Sequence, residues 1–202
     1  MVSGSVDNGG MRKAGIRPET TDNLAKAYEL VRRDGAVCFD GIGPSAKEAV
    51  ELGHKIFSHR VRSIPEAARV FDSGEMDRYD QPHTKPLKPH SDGFAYGDLL
   101  PDYIMLSCVN ASAQGGESFL VDGYEVLANL AASYPGFVND LETIAVDQTE
   151  ADMQVSNSPI VQYNSANRKL LRRNFSQKPL SSSQQPEQDQ QMIDTWIRAV
   201  DV

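Results

Sequence analysis

A chain of 202 residues is long enough for one domain with a real core and too short for two of ordinary size. Its 40% hydrophobic and 24% charged residues exclude the collagen-like and fully disordered classes. A net charge of −8 argues against a nucleic-acid partner, because an acidic surface repels a phosphate backbone, and the chain has no run of about 18 apolar residues to span a membrane.

Residues 1–20 read as a flexible tail and residues 21–202 as one domain. Met1 to Gly10 are small and polar and lack the charged-then-apolar pattern of a secretory signal, so a cytoplasmic location is expected. From Thr21 the spacing of Leu24, Ala27, Tyr28, Leu30 and Val31 predicts a helix, with Thr21 or Asp22 as its cap and Asp34-Gly35 as its stop. Gly35 to Gly41 is a short apolar run bounded by glycines and predicts a buried strand. Pro44 and Ser45 open a second helix with Ala46, Ala49, Val50 and Gly53 as its stripe. Cys38 and Cys108 sit in apolar runs, where buried free thiols are expected.

Residues 58–89 are rich in turn formers and predict a long irregular segment leading directly to His90. Tyr103 to Val109 predicts a fully buried strand, Gly115-Gly116 a turn, and Glu117 to Asp122 a returning strand. Gly123 to Tyr134 predicts a helix with Val126, Leu127 and Leu130 on one face, while Leu141 to Asp147 is too short to assign. Pro159 to Tyr163 and Lys169 to Phe175 predict a strand pair around a turn at Asn164 to Asn167. The polar stretch 181–191 predicts a solvated loop before a last helix, Gln190 to Val200, anchored by Met192, Ile193, Trp196 and Ile197.

The chemistry concentrates at Lys88-Pro89-His90-Ser91-Asp92-Gly93. A strand has a period of two, so His90 and Asp92 would share a face, and an imidazole nitrogen and a carboxylate oxygen could reach one metal ion. That is two corners of the facial triad of two His and one carboxylate that leaves open positions on iron(II). His-x-Asp alone is a weak signal, since such a pair is more often a surface hydrogen bond than a metal site. Its context is more specific: His-Ser-Asp-Gly, an apolar run, then Gly115-Gly116-Glu117-Ser118-Phe119-Leu120-Val121-Asp122-Gly123-Tyr124. This combination resembles the TauD/TfdA superfamily of dioxygenases, and within it the branch containing γ-butyrobetaine hydroxylase. The likeness runs from about Leu30 to the C-terminus and is densest over residues 88–127.

The resemblance implies an α+β fold, a double-stranded β-helix or jelly roll with flanking helices. It implies an Fe(II)-dependent oxygenase that consumes 2-oxoglutarate and O2, hydroxylates a small amino-acid-like or betaine-like metabolite, and releases succinate and carbon dioxide. His90 and Asp92 match the first two iron ligands. Ser118 matches a hydroxyl residue, commonly Thr, that hydrogen-bonds 2-oxoglutarate, a task a hydroxyl performs without adding charge. The family pattern continues with a second His and a later Arg that pairs bidentately with the distal carboxylate of 2-oxoglutarate. The histidines here are His54, His59, His83 and His90, so none follows the first ligand. The expectation is a jelly roll truncated at its C-terminal side and inactive alone, with His83 the nearest substitute ligand or simply a loop side chain. Missing strands would leave a sheet edge exposed, an aggregation hazard, so either the chain is a fragment, the favoured expectation, or a partner supplies the rest, and a homo-oligomer stays open.

Phe94 and Tyr96 are candidate substrate contacts, with simple packing as the alternative. Arg172 or Asn174, in the basic run Arg168 to Asn174, could hold an acidic substrate group; a solvated strand face is the default. Two rival readings remain: an inactive jelly-roll remnant or fragment that binds a ligand or partner, and a cupin isomerase using His-x-Asp with another metal.

Overall fold

The computed structural model describes residues 15–43, 45–57, 87–92, 103–108, 110–111, 113–149, 155–164 and 167–201. The expectations for 58–86, including His59 and His83, and for Phe94 and Tyr96 lie outside the described residues. The chain divides into two compact units, one drawn from Ile16–Leu87 and Tyr103–Ser118, the other from Met1–Gly15, Lys88–Asp102 and Phe119–Val202.

The first unit contains Ile16 of β1 (Gly15–Ile16), β2 (Thr20–Thr21), α1 (Leu24–Asp34), β3 (Cys38–Phe39) and α2 (Ala46–Phe57). Thr21 and Asp22 do not cap α1. Thr21 is committed to β2, in parallel register with Phe39, and its hydroxyl accepts from Asn23 N–H at 3.1 Å. Asn23 is the cap instead, its side chain accepting from Lys26 N–H at 3.1 Å. Gly35 closes α1 with φ +77°, a conformation a side chain would strain, and its N–H reaches the Val31 carbonyl at 3.0 Å. Ser45 and Glu48 form a reciprocal capping box at the start of α2: each main-chain N–H is 3.2 Å from the other's side-chain oxygen. Ala27, Leu30 and Val31 of α1 and Ala49 and Leu52 of α2 are buried.

Other expectations fail in this unit as well: the buried strand expected over Gly35 to Gly41 is reduced to the two residues of β3, and no residue of that run is buried. Residues 103–108 form no regular structure and are exposed, Leu106 at 79%, although Tyr103 stacks on Phe57 with ring centroids 5.1 Å apart. An apolar run becomes a strand only where another strand takes its main-chain hydrogen bonds, and no ladder is formed by 103–108 among the described residues. Cys38 and Cys108 are free and exposed, not buried.

The second unit contains β4 (Leu120–Val121), α3 (Gly123–Ser133), α4 (Phe137–Thr143), β5 (Ala145–Asp147), β6 (Asn157–Pro159), β7 (Val161–Tyr163), β8 (Lys169–Leu171), β9 (Lys178–Pro179) and α5 (Pro186–Val200). Asp122 caps α3 by accepting from the N–H groups of Tyr124 at 2.9 Å and Glu125 at 3.2 Å. The Tyr124 hydroxyl donates to the Lys169 carbonyl at 2.7 Å and so ties α3 to β8. The unassigned stretch 141–147 splits between the end of α4 and β5, which lies between β6 and β9 in an antiparallel sheet. β7 and β8 pair antiparallel, Val161 opposite Leu171, within the strand pair expected around the turn at Asn164 to Asn167. α5 begins four residues earlier than expected, because Pro186 takes the first turn, where its missing N–H costs nothing, and Glu187 and Asp189 complement the helix dipole.

Val126, Leu127 and Leu130 of α3, Leu141 of α4, Val146 of β5, Ile160, Val161 of β7, and Met192, Ile193, Trp196 and Val200 of α5 form one hydrophobic core. Helix and strand are mixed throughout, and among the described residues the strands form sheets of two or three with no closed barrel. No helix among them is long and apolar enough to cross a membrane.

Candidate metal centre

The segment 87–92 has no strand of its own but is stitched to the chain after β8. Ser91 N–H donates to the Arg173 carbonyl at 2.8 Å, and Arg173 N–H donates to Ser91 Oγ at 2.9 Å. The Ser91 hydroxyl thereby replaces a main-chain carbonyl in what would be a ladder rung. With Ser91 facing that seam, its two neighbours meet each other: His90 Nε2 lies 3.5 Å from Asp92 Oδ1. Both side chains remain open to solvent, at 31% and 54% exposure.

His90 Nδ1 lies 2.8 Å from the Lys88 carbonyl. A carbonyl only accepts, so the proton of the neutral ring sits on Nδ1, and Nε2 presents a lone pair. That lone pair faces a carboxylate oxygen, an acceptor opposite an acceptor. The contact is favourable only if something positive stands between them, a proton or a metal ion. Two donors in adjacent positions on a first-row ion, with bonds of about 2.1 Å, lie about 3 Å apart, so the pair fits two neighbouring positions after a small adjustment.

The support continues below the pair. Phe175 packs on the His90 ring, centroids 5.4 Å apart at 46°. The Arg173 guanidinium lies over Phe175 at 5.4 Å, donates to the Asn174 carbonyl at 2.6 Å, and pairs with Asp201 Oδ1 at 3.0 Å. Lys88 Nζ lies 3.5 Å from the other Asp201 oxygen. Among the described residues no group of three or more His, Cys, Asp or Glu gathers around one point.

A family model described as taurine catabolism dioxygenase TauD, TfdA family matches residues 12–200. The chain belongs to this family. No curated protein matches it. Membership in the TauD, TfdA family suggests Fe(II)/2-oxoglutarate dioxygenase activity and a cupin-like jelly roll. Iron suits the donors present, since a neutral imidazole nitrogen and a carboxylate oxygen are the ligand types such an ion takes.

The other residues singled out from the sequence are placed differently from one another. Ser118 belongs to the first unit and is exposed. Arg172, Arg173 and Asn174 are all buried, which corrects the default of a solvated strand face. Arg172 Nη2 donates to Gln162 Oε1 at 3.0 Å, its Nε has no partner among the described residues, and burial pulls its pKa below the usual guanidinium value. Asn174 donates to the Gln148 carbonyl at 2.8 Å and accepts from Ser176 N–H at 3.1 Å, so both ends of its amide are occupied. Ser91, Arg173 and Asp201 escaped the sequence reading. Asp201 had a signal: an acidic residue at the C-cap of a helix sits at the negative pole of the dipole, an unfavourable place unless cations meet it.

Proposed function

We propose that the chain is a non-haem Fe(II)/2-oxoglutarate-dependent oxygenase with a jelly-roll core, in which His90 and Asp92 supply two of the three protein ligands. The observation that carries this is the 3.5 Å approach of His90 Nε2 to Asp92 Oδ1, with Nδ1 already committed to the Lys88 carbonyl. The carbonyl fixes the tautomer that frees Nε2 for a metal, and Asp92 contributes the negative charge that holds a divalent cation. Ser118 is the proposed hydroxyl donor to a carboxylate of 2-oxoglutarate. Bound iron, with 2-oxoglutarate and O2, supplies the oxidising power for C–H hydroxylation, with succinate and carbon dioxide as co-products. The proposed substrate is a small amino-acid-like or betaine-like metabolite.

Anaerobic addition of Fe(II) and 2-oxoglutarate tests the reading. A weak visible charge-transfer band is expected, lost in both His90→Ala and Asp92→Ala. A chain that gives no band, or whose band is indifferent to both substitutions, is not an oxygenase built on this pair.

A second reading has one observation behind it, the two-membered donor set among the described residues. On that reading the chain is a non-enzymatic jelly-roll protein that kept the pair and binds a ligand or partner. It predicts metal uptake at His90 without any succinate formed from 2-oxoglutarate in air.

A further inference from the structure

We propose that Asp201, at the end of α5, is a positioning residue for the His90–Asp92 pair, an inference that rests on the oxygenase reading. One carboxylate there grips both sides of the seam that carries the pair. Its Oδ1 holds Arg173 at 3.0 Å, and the Arg173 main chain holds Ser91, the residue between the two ligands. Its Oδ2 holds Lys88 at 3.5 Å, and the Lys88 carbonyl holds the Nδ1 proton of His90. The same guanidinium lies over Phe175, whose ring is packed against His90. Among the described residues, the contacts of His90 with the Lys88 carbonyl and with Phe175, and the bonds of Ser91 to Arg173, each lead within one or two residues to Asp201.

The environment of Asp201 supports a purpose beyond capping. Its location at the C-terminal pole of α5 is electrostatically unfavourable for an anion, and its side chain is largely buried, at 18% exposure. A carboxylate is tolerated there because Arg173 and Lys88 converge on it. Reciprocally, Asp201 neutralises the two cations, Arg173 and Lys88, whose main chains hold Ser91 and His90. With Asp201 gone, Arg173 and Lys88 lose their anchor and the Nδ1–H contact to the Lys88 carbonyl loosens. The His90 proton can then move to Nε2, the atom that has to bind metal.

The test uses the 202-residue chain with nitrogen-15-labelled histidine and Mn(II) as the probe. His90 is assigned by the signal missing in His90→Ala. In the unsubstituted chain, its neutral ring should show the Nδ1–H tautomer and broaden first on Mn(II) addition. Asp201→Asn should mix the tautomers and weaken Mn(II) uptake about tenfold, the usual effect of losing an outer partner of a metal ligand. Asp201→Glu should restore most of both. The difference should persist in about 1 M salt, where a purely through-space field is screened within about 3 Å; a difference that vanishes there overturns positioning. Should Asp201→Asn unfold, Lys88→Met carries the test, since that side chain is 62% exposed. It should shift the tautomer and weaken Mn(II) in the same direction. Wild-type tautomer and Mn(II) uptake in these variants, with uptake abolished by His90→Ala, would sink the Asp201 inference alone. Mn(II) uptake that survives His90→Ala sinks the oxygenase reading and this inference with it.

Discussion

The Trp196 indole N–H donates to the Arg172 carbonyl at 3.0 Å. Trp196 is the largest fully buried side chain among the described residues, so one residue of α5 both fills the core and anchors the chain just before Arg173. The same carbonyl also accepts from Gln177 Nε2 at 2.9 Å. Trp196→Phe therefore removes one of two donors and part of the ring volume, and should lower stability by about 1–2 kcal/mol in urea unfolding. Trp196→Ala should cost about 3–5 kcal/mol. A Phe variant as stable as the parent would show that Gln177 alone satisfies the carbonyl.

The elements that pack by periodicity were legible in the sequence. The stripe of Val126, Leu127 and Leu130 predicts α3, and Met192, Ile193 and Trp196 predict α5, because the core they form needs only the right face. The β7–β8 pair was legible from two runs flanking a turn at Asn164 to Asn167. What the sequence hid depended on partners far away in the chain. Tyr103 to Cys108 has strand composition, yet composition cannot say whether a neighbouring strand is present. At the candidate centre, His90 and Asp92 were legible by their spacing of two. Ser91 was not, because its bonds go to Arg173, 82 residues away.

The Ser91–Arg173 seam makes a direct prediction. Ser91→Ala keeps the donation from residue 91 N–H to the Arg173 carbonyl but leaves Arg173 N–H without the Oγ acceptor at 2.9 Å. A partly buried N–H without an acceptor costs about 1–3 kcal/mol. Hydrogen exchange at the Arg173 amide should speed up by at least about tenfold, which is about 1.4 kcal/mol of local opening. Unchanged exchange at that amide would mean that Ser91 Oγ is not its acceptor in solution.

Acid sensitivity should be traceable to Asp147 in the three-stranded sheet. Thr149 donates to its carboxylate, the main-chain N–H at 2.9 Å, and Lys178 of β9 lies 3.4 Å away. These contacts, Thr149 first, hold the Asp147 carboxyl below the usual carboxylate range. In the unfolded chain the group titrates near about 3.9. Its contribution is therefore complete above that value and is lost as pH falls through the lower, folded value. Asp147→Asn should be less stable at neutral pH, and its stability should fall less steeply below about pH 4. Urea midpoints measured from pH 7 down to pH 3 would show the two curves converging. Parallel curves would remove Asp147 from the acid limb.

Arg172 and Asn174 separate a binding role from a structural one. Asn174 is almost fully buried, with both ends of its amide engaged, so Asn174→Ala should cost about 1–3 kcal/mol through the Gln148 carbonyl and Ser176 N–H it abandons. Arg172 is the opposite case. It is buried as a cation, and among the described residues no carboxylate pairs with it and its guanidinium makes one hydrogen bond, to Gln162, which is exposed enough to turn to water. A buried charge without a counter-charge is a net cost to folding. Arg172→Met should leave stability unchanged or raise it by about 1 kcal/mol in urea unfolding. If Arg172 holds an acidic group of the substrate, the same variant should lose turnover of acidic metabolites while keeping metal uptake at His90. A strongly destabilised Met variant would instead give the guanidinium a structural partner and end the case for a binding role.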